Sequence, residues 1–244
     1  MSHQAYGPEV GVPRILQILR RHSVRGTFFI PGLVAEWHPA MVSEILDQGH
    51  EIAHHGYLHR NPGELDEAGE AEELDRGLQA LAQFGVKPHG YRAPMWDLSE
   101  RTLGMLSKRG VVYDSSLMNA DAPYLVSWPN RGEDQPLAEI PISWGLDDWE
   151  QYGYVPGLSS VVPIGAPASV HRMWKDEMEA VFDDGGHFVL TCHPFLSGRP
   201  SRARVIEALV VQAVSAEGVW VAALEDIAQH VHESAAPARE VGWL

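Results

Sequence analysis

The chain has 244 residues, 45% of them hydrophobic and 21% charged, which suffices for the core of one large domain. Its formal net charge of -15, from 33 acidic and 18 basic residues, repels phosphate backbones and anionic lipid and makes nucleic acid and membrane poor partners. No apolar run approaches the ~20 residues of a membrane span, no signal-peptide pattern opens the chain, and a single cysteine, Cys192, rules out an internal disulfide and fits a reducing cytoplasm.

Residues 1–8 are polar and punctuated by Gly and Pro, and read as irregular. Pro13 opens a helix whose Ile15, Leu16, Ile18 and Leu19 share a face. The β-branched and aromatic run 27–30 stops at Pro31-Gly32, the pattern of a strand. A helix over 39–48 ends at Gly49, and 51–53 is a short buried strand. An acidic helix over 64–84 is followed by a short strand, 89–92, and by a helix that Ser99 caps and Gly110 ends. Strands over 111–113 and 139–143 flank an irregular stretch, 117–137, and the Trp/Tyr/Gly-rich segment 144–166 has the length of a functional loop. A helix over 168–182 leads to the apolar strand 187–192. A helix capped by Ser201 leads to a last strand, 219–222, and Leu224, Ile227 and Val231 belong to a final helix. The expected organisation is one domain over 1–233 with a loose tail over 234–244.

About seven strands thus alternate with helices, which predicts a parallel β/α architecture. No glycine-rich phosphate loop follows a strand, so a barrel is favoured over a nucleotide-binding open sheet. A barrel of β/α units should begin with a strand, and this chain begins with a helix; it reads as one strand short at its amino end.

The chemistry gathers where strands end. His54, His55 and His59 follow the strand 51–53, and the four-residue spacing of His55 and His59 lets two imidazoles converge on one ion if the backbone turns helically. Other strand ends carry Tyr91, Arg92 and Trp96, Asp114, Trp144, Asp147 and Asp148, and His193. Barrel active sites are built from such residues of separate strands meeting at one rim. Each has a plain alternative. His55 and His59 fit a surface pair, Arg92 a surface ion pair, and Trp96 or Trp144 a core position. Asp114 before Ser115-Ser116 reads equally as a turn cap, and His193 as a hydrogen-bonded core histidine. Nucleophilic catalysis fits poorly. No G-x-S-x-G elbow is present, and Cys192 and His193, as strand neighbours, point to opposite faces. Water activated by a metal or a base remains.

Five stretches, in order, resemble the polysaccharide deacetylase family, the carbohydrate esterases with the NodB-type barrel. They are Arg25-Gly26-Thr27-Phe28-Phe29-Ile30-Pro31-Gly32, Gly49-His50-Glu51-Ile52 through His59, Gly90-Tyr91-Arg92-Ala93-Pro94, Tyr113-Asp114-Ser115-Ser116 and Leu190-Thr191-Cys192-His193-Pro194. The branch resembled is the cytoplasmic one of peptidoglycan-deacetylase-like proteins, metal-independent allantoinases and cyclic imide hydrolases. The resemblance implies an irregular parallel β/α barrel that hydrolyses a non-peptide C–N bond. His55 and His59 would hold a divalent metal, zinc by preference, and His193 would protonate the departing nitrogen. Arg92 would hold a catalytic aspartate, and Tyr91, Trp96, Trp144, Asp147 and Asp148 would bind substrate. The substrate would be an acetamido sugar or a cyclic imide or ureide, and members of this branch often form homo-oligomers. The family's first motif, an aspartate pair that should precede Ala5-Tyr6-Gly7, is not found there. The resemblance therefore implies an upstream start or a catalytically weakened relative, and a chain without that base is expected to be nearly inert. A degenerate ligand-binding barrel without turnover is the reading of another class.

Overall fold

The structure is a computed structural model that describes residues 2–129, 132, 134–154, 164–234 and 237–241. In chain order its helices and strands are α1 (Ser2–Tyr6), α2 (Val12–Arg21), β1 (Thr27–Ile30), α3 (Gly32–Trp37), α4 (Pro39–Asp47), β2 (Glu51–His54), α5 (Glu67–Ala82), β3 (Gly90–Tyr91), α6 (Thr102–Lys108), β4 (Tyr113–Asp114), β5 (Tyr124–Ser127), β6 (Leu137–Glu139), α7 (Asp148–Tyr152), α8 (Pro167–Asp184), α9 (Pro194–Ser197), α10 (Pro200–Ser215), α11 (Leu224–Glu233) and β7 (Arg239–Glu240). The chain divides into two compact units, one of Gly26–Pro141 with Ala222–Leu244, the other of Met1–Arg25 with Ile142–Val221.

The first unit holds the whole seven-stranded sheet, in the order β1-β2-β3-β4-β6-β5-β7. Its pairs are parallel except β5 with β6, and no ladder among the described residues joins β7 back to β1. β2 is buried along its full length because helices must cover both faces of a parallel sheet, whereas β1, at the edge, is half-buried. Leu74, Leu103, Leu106, Tyr124, Val126, Trp128 and Leu137 form its largest core cluster. α5 lies close because its Gly77 has no side chain; a Cβ there would stand 2.2 Å from His54 Cε1.

The second unit is helical. Leu146, Tyr152, Val170, Trp174, Met178, Leu196, Val205 and Leu209 pack in one cluster, and Trp174 Nε1 donates to the Gly145 carbonyl at 2.9 Å. Residues 2–21 are helical throughout, contrary to the irregular reading of 1–8. A wider π turn over Gly7–Gly11, in which the Val12 N–H reaches the Gly7 carbonyl, accommodates Pro8 without breaking the helix. This segment grips the turn after α9, where Tyr6 Oη and Arg14 Nη1 both donate to the Gly198 carbonyl.

The parallel β/α pattern is as expected, with two exchanges among the strands. Among the described residues, 187–192 bridge only at Thr191, in parallel with Asp147, and 219–222 form no ladder. An apolar run becomes a strand only where a second backbone lies alongside it. In their place stand β5, hidden among Pro, Asn and Asp, and β7, a polar pair that ladders onto β5. The expected tail over 234–244 therefore contains a strand, and Val241 beside it is buried. Residues 130, 131, 133, 155–163, 235, 236 and 242–244, parts of the expected irregular stretch, loop and tail, lie outside the described residues.

Candidate active site

Register explains which strand-end residues face which way. His54, Tyr91, Asp114 and Glu139 are partners across β2, β3, β4 and β6, and each is at most 1% exposed. They form one buried row. Tyr91 packs at a tilt on His54, with ring centroids 5.3 Å apart, and is buried in this row. His54 is buried with both ring nitrogens unpartnered among the described residues, and burial pulls its pKa down to about 3. Asp114 caps a turn, accepting from the N–H and Oγ of Ser116 at 3.1 and 2.8 Å. Burial raises Asp114 to about 6 and, with the neighbouring Asp114 charge, drives Glu139 well above the usual carboxylate range.

The next residue of each strand faces the other way, and the second row is the chemical one. His55 Nδ1 donates to the Arg92 carbonyl at 2.6 Å, which places the imidazole lone pair on Nε2. Arg92, 6% exposed, donates from Nε and Nη2 to Ser115 O and Oγ at 2.9 and 2.7 Å and stacks its guanidinium 4.3 Å over Phe29. Ser115 passes its own hydroxyl proton to the Ile140 carbonyl at 2.8 Å. A backbone carbonyl, a hydroxyl and a ring thus hold the buried Arg92 guanidinium. His59 returns to His55 edge to face, with ring centroids 4.8 Å apart, after a turn in which Gly56 and His59 take φ of 72° and 62°. Helical spacing was expected to bring this pair together; a left-handed turn does it instead. Trp96 also stands at positive φ, 56°, next to Met95 at 61°.

In the helical unit the Asp147–Thr191 bridge sets the second constellation. Thr191 N donates to Leu146 O at 2.8 Å and Asp148 N to Thr191 O at 3.1 Å. Two residues beyond the bridge, His193 Nδ1 meets the fully buried Asp148 Oδ1 at 2.7 Å, and its backbone N–H donates to the same carboxylate at 2.9 Å. Asp147 Oδ1 lies 3.4 Å from Nδ1 and also accepts the Trp149 N–H at 2.7 Å. Burial alone would lower His193, but its hydrogen bonds to Asp147 and Asp148 and their charge outweigh that and raise it to about 10. Burial pushes Asp148 up as well, against the pull of His193, so this pair holds one proton firmly at neutral pH. Asp147 and Asp148 are therefore both partners of His193. Trp144 is half exposed.

Comparison with known proteins settles the family. The family described as polysaccharide deacetylase matches residues 6–113. A peptidoglycan deacetylase of Helicobacter pylori is 31% identical over 91% of this chain and 84% of its own. A Mycobacterium smegmatis crystal structure assigned as a polysaccharide deacetylase superposes with a TM-score of 0.95 at 46% identity, covering 100% of this chain and 84% of that one. The allantoinase PuuE superposes with a TM-score of 0.84 at 26% identity, covering 96% of this chain and 76% of that one. The chain belongs to the polysaccharide deacetylase family. It is thus a NodB-type hydrolase of the class that cleaves carbon–nitrogen bonds other than peptide bonds.

Deacetylases of this family are commonly metal-dependent, and two donor sets can be tested for an ion. Asp147, Asp148 and His193 bring ligand atoms within 4.8 Å of one another. The Nδ1 proton already lies between His193 and Asp148, and an ion there would have to displace it, so this set fits an acid better than a metal. His55 and His59 suit a divalent cation better, because the Arg92 carbonyl fixes the His55 tautomer as metal-binding imidazoles require. Two features escaped the sequence reading, the holding role of Asp148 and the aromatic flanks of His193, Trp149 at 5.9 Å and Phe195 at 6.0 Å between centroids. The run Asp147-Asp148-Trp149, adjacent acids before an aromatic, was the available signal. No helix among the described residues is long and apolar enough to cross a membrane.

Proposed function

We propose that the reaction of this deacetylase-family fold is removal of the acetyl group of an acetamido sugar by attack of water on the amide carbonyl, with His193 as the general acid and with a base that residues 1–8, which hold no aspartate, do not supply. The observation that carries the reading is the His193–Asp148 pair. Cleaving an amide requires a proton for the departing nitrogen, which is a poor leaving group as an anion. An imidazole raised to about 10 by two carboxylates keeps its proton at neutral pH, and its Nδ1 contact with Asp148 directs Nε2 outward as the donor. His193 is 35% exposed at its side chain, so the donor nitrogen is not sealed in the core.

The first unit contributes a different capability. His55 and His59 are proposed to hold a divalent cation, zinc by preference, which when bound acidifies water and polarises a carbonyl. Arg92 fixes the His55 ring through its carbonyl and is itself fixed by Ser115. Trp96 and Trp144 are proposed to stack on sugar faces, since each offers an aromatic surface that is not fully buried. A small soluble substrate and a homo-oligomeric, cytoplasmic protein complete the proposal.

The test is acetate release from N-acetylated glucosamine oligomers with zinc supplied, run beside a panel of hydantoins and imides. Acetate release supports the reading. Ring opening without acetate release would transfer it to the allantoinase-like alternative, which the likeness to PuuE supports. Oligosaccharide binding with neither product would mark a ligand-binding barrel, and turnover of carboxylate esters alone would remove the C–N assignment.

A further inference from the structure

The turn between His55 and His59 has a support that the sequence motifs do not include. Gly56 O accepts from the Gly32 N–H at 3.0 Å and Tyr57 O from the Leu33 N–H at 3.1 Å, which ties the turn to the start of α3. Those bonds use carbonyls. The N–H groups of Tyr57 and Leu58 point to α5, where one oxygen, Glu73 Oε2, accepts both at 3.0 and 2.8 Å. Glu73 is 6% exposed, and the Arg60 guanidinium stands 3.7 Å from its other oxygen. The same Oε2 would lie 3.3 Å from a Cβ at Gly56, whose φ of 72° already favours glycine, so the turn wraps closely round this carboxylate.

The chain direction makes this clamp consequential. Leu58 is followed at once by His59, a non-glycine residue at φ 62°, a strained conformation that persists only where its surroundings determine it. A charged acceptor holding the two preceding N–H groups supplies that determination, because such bonds are about twice as strong as neutral ones. Tyr57 fixes the other side of the turn. Its ring lies 3.8 Å under the Arg76 guanidinium, and its hydroxyl donates to Glu36 at 3.0 Å. What remains for Glu73 to set is the placing of His59 against His55.

We propose that Glu73 is a positioning residue for the His55–His59 pair, acting through the Tyr57 and Leu58 N–H groups. This rests on the reading of that pair as the cation-binding element. The role asks for an acceptor oxygen at the right reach, which separates it from a generic contribution to folding. Glu73→Gln keeps an oxygen at that reach, Glu73→Asp withdraws it by one methylene, and Glu73→Leu removes it.

The experiment measures zinc affinity by calorimetry, exchange of the Tyr57 and Leu58 amides, the imidazole ¹⁵N shifts of His55 and His59, and the thermal midpoint, for all four proteins. The expected order of affinity is wild type, then Gln within a few-fold, then Asp, then Leu at about tenfold or more below wild type, the usual cost of losing a group that orients a ligand. The Tyr57 and Leu58 amides of the Leu variant should lose protection. Equal zinc affinity in wild type and Glu73→Leu, well below the melting range of both, would overturn the proposal and leave Glu73 a merely structural residue. If Glu73→Leu does not fold, Glu73→Asp carries the same comparison. A wild type that takes up no zinc would overturn the cation reading of the pair instead. The positioning role is then decided by the imidazole shifts, which move in the Asp and Leu variants if Glu73 sets the rings and stay unchanged if it does not.

Discussion

His54 and His193 stand at corresponding places, each beyond an apolar run, and their surroundings drive them to opposite extremes. His54 has no hydrogen-bond partner for either nitrogen among the described residues, and burial pulls it to about 3. His193 is pulled the same way by burial, but two carboxylates within 3.4 Å reverse the outcome and raise it to about 10. Burial makes a histidine inert or active according to whether an acid is buried with it. In this chain the deciding acid is Asp148, delivered by a single backbone bridge from Asp147 to Thr191.

Breaking the comparison at His193 should give the largest effect. His193→Ala is expected to lower the rate of acetate release by about 10²–10⁴-fold, the usual contribution of a general acid, with little change in the circular dichroism of the folded protein. A variant with wild-type turnover would move the acid elsewhere. Next comes Asp148→Asn, which keeps the shape of the pair and removes its charge. A general acid works only while protonated, so activity falls as pH rises through its pKa, here about 10. Without Asp148 the alkaline limb of kcat/KM should move down by more than one pH unit towards the ordinary histidine range. An unmoved limb would show that Asp147, 3.4 Å away, suffices.

The other half of the comparison is read from stability. His54 has a folded pKa below its unfolded value near 6.5, so its contribution is complete above pH 6.5 and is lost as pH falls towards 3. His193 has the opposite sign: its contribution is complete below pH 6.5 and is lost as pH rises towards 10. Within its window the His54 slope approaches ~1.4 kcal/mol per pH unit. His54→Leu, of similar volume and unable to titrate, should flatten the acid side of the denaturant-unfolding profile and leave the alkaline side alone. An unchanged acid slope would show that His54 does not set it, and the buried Asp114 and Glu139 could not take its place, because their raised pKa values favour the fold as pH falls.

This pairing also shows what was readable beforehand. His55, His59, Arg92 and His193 could be singled out because each sits just past a run that ends a strand or nearly forms one, and the five ordered stretches tied them to a family. Alternation along a strand would have separated Tyr91 from Arg92 and His54 from His55, since neighbours face opposite ways and Tyr91 shares a register row with His54. Treating strand ends as equivalent grouped Tyr91 with Arg92, whereas Tyr91 is buried beside His54. Other features were out of reach. β7 has no apolar pattern and exists only because β5 offers an edge. Residues 187–192 have the pattern but ladder at Thr191 alone. The Asp148–His193 bond spans 45 positions, and its cause is that bridge, which no local spacing encodes.

The smallest effect sharpens the comparison by separating stability from titration. Asp66 caps α5, its Oδ1 accepting the Gly69 N–H at 2.8 Å, and this helix carries the Gly77 that His54 packs against. The cap is exposed and touches neither histidine. Asp66→Ala should therefore cost ~1 kcal/mol of unfolding free energy at every pH, the ordinary value of an N-cap. Stability plotted against pH should shift down in parallel, with the acid slope of His54 and the alkaline slope of His193 both retained. The size of the loss can be compared directly with that of His54→Leu. If Asp66→Ala also flattens the acid slope, that slope reports loosening of α5 over the sheet and not a proton on His54, and the contrast between the two histidines loses its buried half. A parallel shift leaves the contrast where the geometry puts it, in what each imidazole is buried against.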